Sequence, residues 1–393
     1  MNFTFEVLKT IIRFIFDIGW IWLPIVLAVA FFETWMYYIK RVYWQGIDWR
    51  ILEIRPPRDI ERTPKIMEQV FAGFWGIFGT VTTKYQKYFE GRTQDYFSLE
   101  IVGINGEIHF FIRGAAKFRN LIEAQIYSQY PQAEIKETDD YVQNVPTDIP
   151  NKNWDIWGAR LRLSKSDVYP IRTYMQHVDI VMRPTSPPFI DPLAGLMEVM
   201  SKLKQGEQIW IQILIRPLAD DWVKRSEKEV KSLMDKIRPA AVPTEVGAAV
   251  PFQMLSPGQR ETINAIELKA AKKGYEAKIQ FGYFGRREIF AMPNVGAIMG
   301  LFNQFASLNA NNLRPDKVTT TKANYLFAKQ RKIFKQRRLL RLLKTRSFWE
   351  KGYIFNIEEL ASLFHFPTTS VKAPMTPWLE TKKAEPPLGL PTG

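Results

Sequence analysis

Residues 97–135, FSLEIVGINGEIHFFIRGAAKFRNLIEAQIYSQYPQAEI, decide the fold class of this 393-residue chain. Phe97–Val102 and Glu107–Arg113 are predicted strands, and the short turn between them contains two glycines. A helical pattern follows from Ala115 to Tyr130, and Ala133–Glu137 is predicted as a short strand. The stretch is therefore typical of the second half of a β-α-β-β-α-β unit.

The residues before this stretch supply the first half of the unit. RILEIR at 50–55 alternates apolar and polar residues as a strand does, and apolar residues recur at helical spacing over 66–78. We therefore predict an α+β protein whose first ferredoxin-like sandwich covers residues 45–137. Helices on one face would leave the other face of the sheet for a neighbouring module or a partner, with a homo-oligomer among the alternatives.

A second ferredoxin-like sandwich is predicted over residues 157–366, after a polar, proline-punctuated linker at 138–156. Lys278–Phe281, Gly282–Gly285 and Glu288–Ala291 repeat the strand, Gly-x-x-Gly turn and strand of the first module. Because Gly-x-x-Gly is expected here between strands, a hairpin turn is favoured over the loop of a KH domain, which joins two helices. The other predicted elements are strands at 159–163, 208–216 and 353–356 and helices at 193–203, 220–237, 257–273 and 295–308.

An apolar stretch at 18–39, IGWIWLPIVLAVAFFETWMYYI, predicts a single transmembrane helix within residues 1–44, and residues 3–16 are expected to lie along the interface. A helix of this length spans about 33 Å, enough for a hydrocarbon core of about 30 Å. The predicted anchor residues are Trp20, Trp22, Trp35, Tyr37, Lys40 and Arg41. The basic residues after the stretch put the rest of the chain in the cytoplasm. A cleaved signal peptide, with Ala28-Val29-Ala30 as its site, and a buried globular helix are the alternatives.

The composition argues against several kinds of chemistry. The chain has no cysteine, which excludes disulfides, thiol nucleophiles and thiolate metal sites. Its three histidines, His109, His177 and His365, are not at ligand spacing, and the sequence contains no Gly-Lys pair from which a P-loop could be built. We expect no catalytic residue, no cofactor and no metal site.

The net charge of +14 is concentrated in one predicted helical segment, residues 317–351, which holds twelve Lys and Arg residues and a single acid. The apolar residues Ala323, Leu326, Phe327, Ile333 and Phe334 are predicted to form its buried face, and the helix is expected to bend or end soon after residue 334. Three interpretations stay open: a solvated face, a contact with nucleic acid or an acidic partner, and a contact with the inner leaflet. The predicted contact residues are Arg331, Lys332, Lys335, Arg337, Arg338 and Arg341.

Over nearly all of its length the chain resembles the amino-terminal, non-ATPase portion of membrane-anchored ATPases of type IV secretion and conjugative DNA transfer in candidate-phylum bacteria. The resemblance is carried by WRILEIRPPRDIERTPKIMEQVF (49–71), residues 97–135, GYIFNIEELASLFHFP (352–367) and KKAEPP (382–387). In such proteins the motif that corresponds to 352–367 is followed by a proline-rich stretch, here 367–393, and then by the nucleotide-binding domain. We expect that domain to be a separate polypeptide, or the reading frame to be truncated.

The resemblance implies a non-catalytic scaffold in the bacterial plasma (inner) membrane, crossing it once, that docks a P-loop ATPase of a DNA-transfer system. The residues themselves support an alternative from another class, a free-standing membrane-bound protein that binds nucleic acid through the basic helix at 317–351.

Overall fold

The computed structural model describes residues 9, 19–57, 63–79, 81, 83–177, 191–237, 255–307, 310–324 and 326–367. Apart from Lys9, the interfacial segment predicted at 3–16 lies outside the described residues, and so does the tail from residue 368 onward. The chain divides into two compact units, Met1–Asp48 with Gly79–Gln94, and Trp49–Phe78 with Asp95–Gly393.

The described residues combine helices with antiparallel strands, which confirms the α+β class. The strands are β1 (Trp49–Arg55), β2 (Phe97–Ile104), β3 (Glu107–Ala115), β4 (Glu134–Glu137), β5 (Trp154–Leu163), β6 (Glu207–Pro217), β7 (Gly274–Arg286), β8 (Leu313–Pro315) and β9 (Tyr353–Asn356). The helices are α1 (Gly19–Gln45), α2 (Lys65–Phe74), α3 (Lys84–Tyr88), α4 (Arg119–Gln129), α5 (Ala194–Ser201), α6 (Val223–Ile237), α7 (Pro257–Ala270), α8 (Met292–Phe302), α9 (Ala328–Thr345) and α10 (Ile357–Leu363).

The first unit pairs the long helix α1 with the short helix α3. By length and composition, Trp22–Gln45 is apolar enough to cross a membrane, and most of its side chains are exposed. The carboxyl-terminal half of α1 also has protein partners, because the indole of Trp35 donates a hydrogen bond of 3.0 Å to the carbonyl of Tyr88. Gly91, at a φ of 67°, passes so close to α1 that a Cβ there would lie 2.4 Å from the carbonyl carbon of Ile39.

The second unit is built on one nine-stranded sheet with the order β4-β1-β3-β2-β6-β7-β5-β8, and β9 pairs with β7. All of the pairs are antiparallel. The strands predicted near 50–55, 97–102, 107–113 and 133–137 are confirmed, and within the unit they follow in the order β1, α2, β2, β3, α4, β4.

The two predicted modules share this sheet, because β2 pairs with β6 along its whole length, from Phe97↔Ile215 to Ile104↔Gln208. The predicted linker at 138–156 also contributes to the core. Tyr141, Val142, Val145 and Ile149 are buried against the sheet face that carries Val102, Trp210 and Phe284. That face is therefore covered by residues of this chain in addition to the face covered by α2, α4, α5 and α8.

The predicted hairpin at 278–291 is wrong, since Gly274–Arg286 is one continuous strand, β7. Gly282 does not turn the chain: it lies opposite Trp210 on one side and Gly158 on the other. A Cβ at Gly282 would come within 2.7 Å of Leu343, so the missing side chain makes room for α9. The counterpart of the β2–β3 hairpin is the pair β6–β7, which α6 and α7 separate in sequence.

Candidate nucleic-acid interface

Within the basic segment, Ala328–Thr345 forms one helix, α9, that packs on β5 and β7 through Gln336, Leu339, Leu340 and Leu343. The helix is therefore shorter than the predicted 317–351, it does not end soon after residue 334, and the predicted apolar face is wrong. Leu326, Phe327 and Phe334 are exposed, with 78%, 67% and 68% of their surfaces accessible. The buried stripe starts where the predicted one stops, because it is the sheet that selects which side of the helix is covered.

The six predicted contact residues fall into two groups. Four of them, Arg331, Lys332, Arg337 and Arg341, are exposed, and their side chains form no hydrogen bond or ion pair with the described part of the chain. The other two are half-buried: Lys335 donates to the carbonyls of Lys317 and Lys322, at 3.0 and 3.2 Å, and Arg338 lies 3.5 Å from Glu350. The exposed four present uncompensated positive charge beside exposed apolar side chains.

Arg346, the residue directly after α9, has a structural role, unlike the exposed basic residues of the same segment. A count of charges along the sequence does not reveal this difference. Its guanidinium is fully buried and uses all five N–H groups, which point to Glu100, Asp140 and the carbonyl of Lys344. Burial lowers the pKa of Arg346, but the adjacent Glu100 and Asp140 carboxylates outweigh it and hold the pKa well above the usual range. Because Arg346 is held in this way, the carboxyl-terminal end of α9 is fixed on the sheet.

Lys278 lies in the same polar layer and is buried without a hydrogen-bond acceptor among the described residues. Its ammonium sits 4.7 Å from the ring centre of Phe348. Burial, helped by the positive charge of Arg160, lowers the pKa of Lys278 to about 7. The sequence signal for this perturbation is only a lysine at an inward-facing position of a long strand.

The motif at 352–367 is built into the core by its own polar residues. Asn356 and Glu359 cap α10 reciprocally, and the buried Glu359 carboxylate also receives the Lys269 ammonium at 2.9 Å. His365 lies 3.0 Å from the carboxylate of Asp191, and both residues are buried. The described chain thus reaches Pro367 from a segment whose polar groups are all engaged in packing.

Across the described residues, no three His, Asp or Glu side chains come together in a way that could hold a metal ion. His109 lies 2.6 Å from the carboxylate of Glu53, a pair inside the sheet. The predicted anchor residues all lie on α1, where Trp20, Trp22, Trp35, Tyr37 and Arg41 are exposed and Lys40 is half-buried.

A model of the family described as domain of unknown function DUF8128 matches residues 43–379. The chain belongs to this family. The DUF8128 match takes in all nine strands and the basic helix α9, and it begins at residue 43, so that nearly all of α1 lies outside it. No curated protein matches the sequence.

Proposed function

We propose that this DUF8128 protein is a membrane-anchored, non-catalytic scaffold of a DNA-transfer system related to type IV secretion and conjugation, and that it docks a P-loop ATPase. The observation that carries the proposal is the core-locked segment from β9 to Pro367, which is also the segment with the most specific resemblance. In the proteins that it resembles, this segment leads into the nucleotide-binding domain. A rigid exit point suits a scaffold because it gives whatever follows a defined position.

The membrane part of the proposal rests on α1, and it puts the helix in the bacterial inner membrane with the bulk of the chain in the cytoplasm. We also interpret the two halves of the sheet as ferredoxin-like units. The order β4-β1-β3-β2 supports this for the first half, whereas in the second half the closing strand β9 pairs with β7 and not with β5. The proline-rich residues 368–393 would connect the sheet unit to the partner.

Docking is tested with the full-length chain and a variant that lacks residues 368–393, both tagged and extracted from membranes of the native host. We expect the full-length chain to retain a protein with a P-loop and ATP-hydrolysing activity, and the shortened chain to lose it while it stays in the membrane fraction. If the two chains and an unrelated tagged membrane protein all retain the same ATPase, or if none retains one, the docking proposal is wrong.

A second candidate function, binding of nucleic acid, is favoured by the four exposed cations of α9. A triple exchange of Arg331, Arg337 and Arg341 to Glu removes charge at this surface. A matched control makes the same change in net charge on other exposed lysines, Lys202, Lys224 and Lys231. We expect the first variant to lose at least about tenfold in DNA affinity. The slope of log affinity against log salt concentration should become less steep, by the amount that about two to three phosphate contacts contribute. Equal losses in the two variants would mean that α9 is not the binding surface.

A further inference from the structure

A cavity of about 380 Å³ opens where the first residues of β5 meet the last residues of β7. Its wall carries three cations and one acid beside an indole ring. The lining residues are Lys152, Asn153, Trp154, Arg286, Arg287 and Glu288. The cavity is wide enough for a planar ring together with a phosphate group, and its charge favours an anionic ligand.

The cavity lies on the sheet face that α9 covers. Trp154 and Arg286 are directly opposite each other in the antiparallel pair β5–β7, so their side chains stand on the same face. Trp154 packs against the apolar cluster that holds Phe284, Leu339 and Leu343. The indole and the guanidinium are therefore neighbours, and both belong to the face on which the basic helix sits.

One carboxylate connects the cavity to the helix. Gln336 in the middle of α9 donates a hydrogen bond of 2.7 Å to one oxygen of Asp155, and Arg287 in the cavity wall lies 3.6 Å from the other oxygen. Arg337 follows Gln336 directly, and Lys332 precedes it by one turn. The side chain of Asp155 therefore contacts both the cavity wall and the part of α9 that carries the exposed cations.

The residues of the cavity divide into those that shape it and those that are available to a ligand. Arg287 donates a hydrogen bond of 2.8 Å to the carbonyl of Asn151, whose side chain accepts bonds from the backbone of Asn153 and Trp154 at 2.9 and 2.8 Å. These bonds hold the backbone that carries the indole in place before any ligand arrives. Arg286 is exposed, and its guanidinium has no hydrogen bond or ion pair in the described part of the chain.

We propose that this cavity is the subsite for one nucleotide of a single-stranded nucleic acid, which makes the strand the substrate class of the α9 surface. The inference rests on the nucleic-acid binding proposed above. The base would stack on Trp154, and Lys152 and Arg286 would bind the flanking phosphate, while the backbone continues along α9. A duplex keeps its bases stacked inside, so it would use the cations of α9 without the cavity.

The test compares a single-stranded oligothymidylate of about twelve nucleotides with a duplex of the same length, each titrated into the full-length chain in lipid nanodiscs. The variants are Trp154→Leu, its conservative counterpart Trp154→Phe, and Arg286→Ser. Trp349→Leu is the control, because Trp349 is an exposed tryptophan of the same unit that does not line the cavity. Fluorescence anisotropy of the labelled nucleic acid gives the affinities, and thermal unfolding checks each fold.

We expect Trp154→Leu and Arg286→Ser each to weaken single-strand binding about tenfold and to change duplex binding less than about twofold. Trp154→Phe should stay within about threefold of the original chain, and Trp349→Leu should have no effect. If the original chain binds neither nucleic acid, the proposed binding function itself fails. If it binds, but Trp154→Leu and Arg286→Ser leave the single strand unaffected or weaken both ligands equally, the subsite is wrong and the function of α9 stands. Because Arg286 is exposed, its exchange decides the case even if Trp154→Leu unfolds.

Discussion

Replacing Arg346 by Met should be among the most damaging single changes in the sheet unit. The change leaves Glu100, which is fully buried, without the two hydrogen bonds of 3.0 Å that its carboxylate accepts from the guanidinium. Removing one partner of a buried ion pair typically costs about 3–5 kcal/mol, because the remaining charge has lost its counter-ion. The hydroxyl of Ser98, 2.5 Å from the carboxylate, still donates a hydrogen bond to Glu100 but carries no charge. Asp140 adds little to this loss, since its side chain is partly exposed and water can replace Arg346 there.

Three further variants separate the charge from the packing. Arg346→Lys keeps the charge but has three donors for the acceptors that five N–H groups now serve, so we expect an intermediate loss. Combining Arg346→Met with Glu100→Gln removes the unpaired charge and should recover at least about 1.5 kcal/mol relative to Arg346→Met alone. Arg341→Met changes an exposed arginine of α9 and should stay within about 0.5 kcal/mol of the original chain.

The free energy of unfolding is measured by urea titration of the full-length chain in nanodiscs, followed by tryptophan fluorescence. The fully buried Trp210 lies in the cluster that α9 covers, so it is one of the twelve tryptophans whose emission changes when this region unfolds. A loss below about 1 kcal/mol for Arg346→Met would refute the reasoning. So would a double variant that is no more stable than Arg346→Met, because the cost would then not come from the charge of Glu100.

Two other changes test the pH dependence of the sheet unit and the packing of the first unit. The pKa of Lys278 is about 10.5 in the unfolded chain and about 7 in the folded chain, so between these values a rise in pH stabilises the folded state. Lys278→Met should therefore be more stable than the original chain at pH 7. Its advantage should shrink by up to about 1.4 kcal/mol per pH unit as the pH rises. Urea midpoints at about pH 7 and about pH 9 measure this, and a constant difference would contradict the lowered pKa. Gly91→Ala should detach residues 83–94 from Ile39 and speed their cleavage by trypsin. Gly79→Ala is the control, because Gly79 is also at positive φ but has no atom within 4 Å of its Cβ position, so this exchange should cost only about 1–2 kcal/mol of backbone strain. Equal cleavage rates in the two glycine variants would show that the contact with Ile39 is unimportant.

Local sequence patterns predict an element correctly wherever its structure is determined by residues that are neighbours along the chain. The β2–β3 hairpin is an example, because the strands it joins are close in sequence and Asn105 and Gly106 adopt the positive φ of a tight turn. The same patterns misplaced the strand pairing of the second half. Gly282 was interpreted as a turn, but a glycine in a strand can equally admit a close neighbour, and that neighbour, Leu343, is 61 positions away in the sequence.

For the basic helix, the sequence predicts the charge and the helical structure but not the face that is buried. Its charge and its helical character follow from residues 317–351 alone, but only the structure separates the exposed Arg331, Lys332, Arg337 and Arg341 from the half-buried Lys335 and Arg338. The apolar stripe did not indicate the buried face, because the exposed Phe327 and Phe334 are as apolar as the buried Leu339 and Leu340. The relation of α9 to the cavity at Trp154 was missed, and no signal in the spacing could have revealed it.

By itself, the sequence determined the α+β class, an apolar helix long enough to cross a membrane, and the concentration of charge in residues 317–351. Only the tertiary structure decided that β2 and β6 join the two halves in one sheet, and that Arg346 is a buried partner of Glu100 while Arg341 stays exposed. The physical reason is the same in each case. Periodicity is a property of neighbouring residues, whereas burial and ion pairing depend on which surface meets them after the chain has folded.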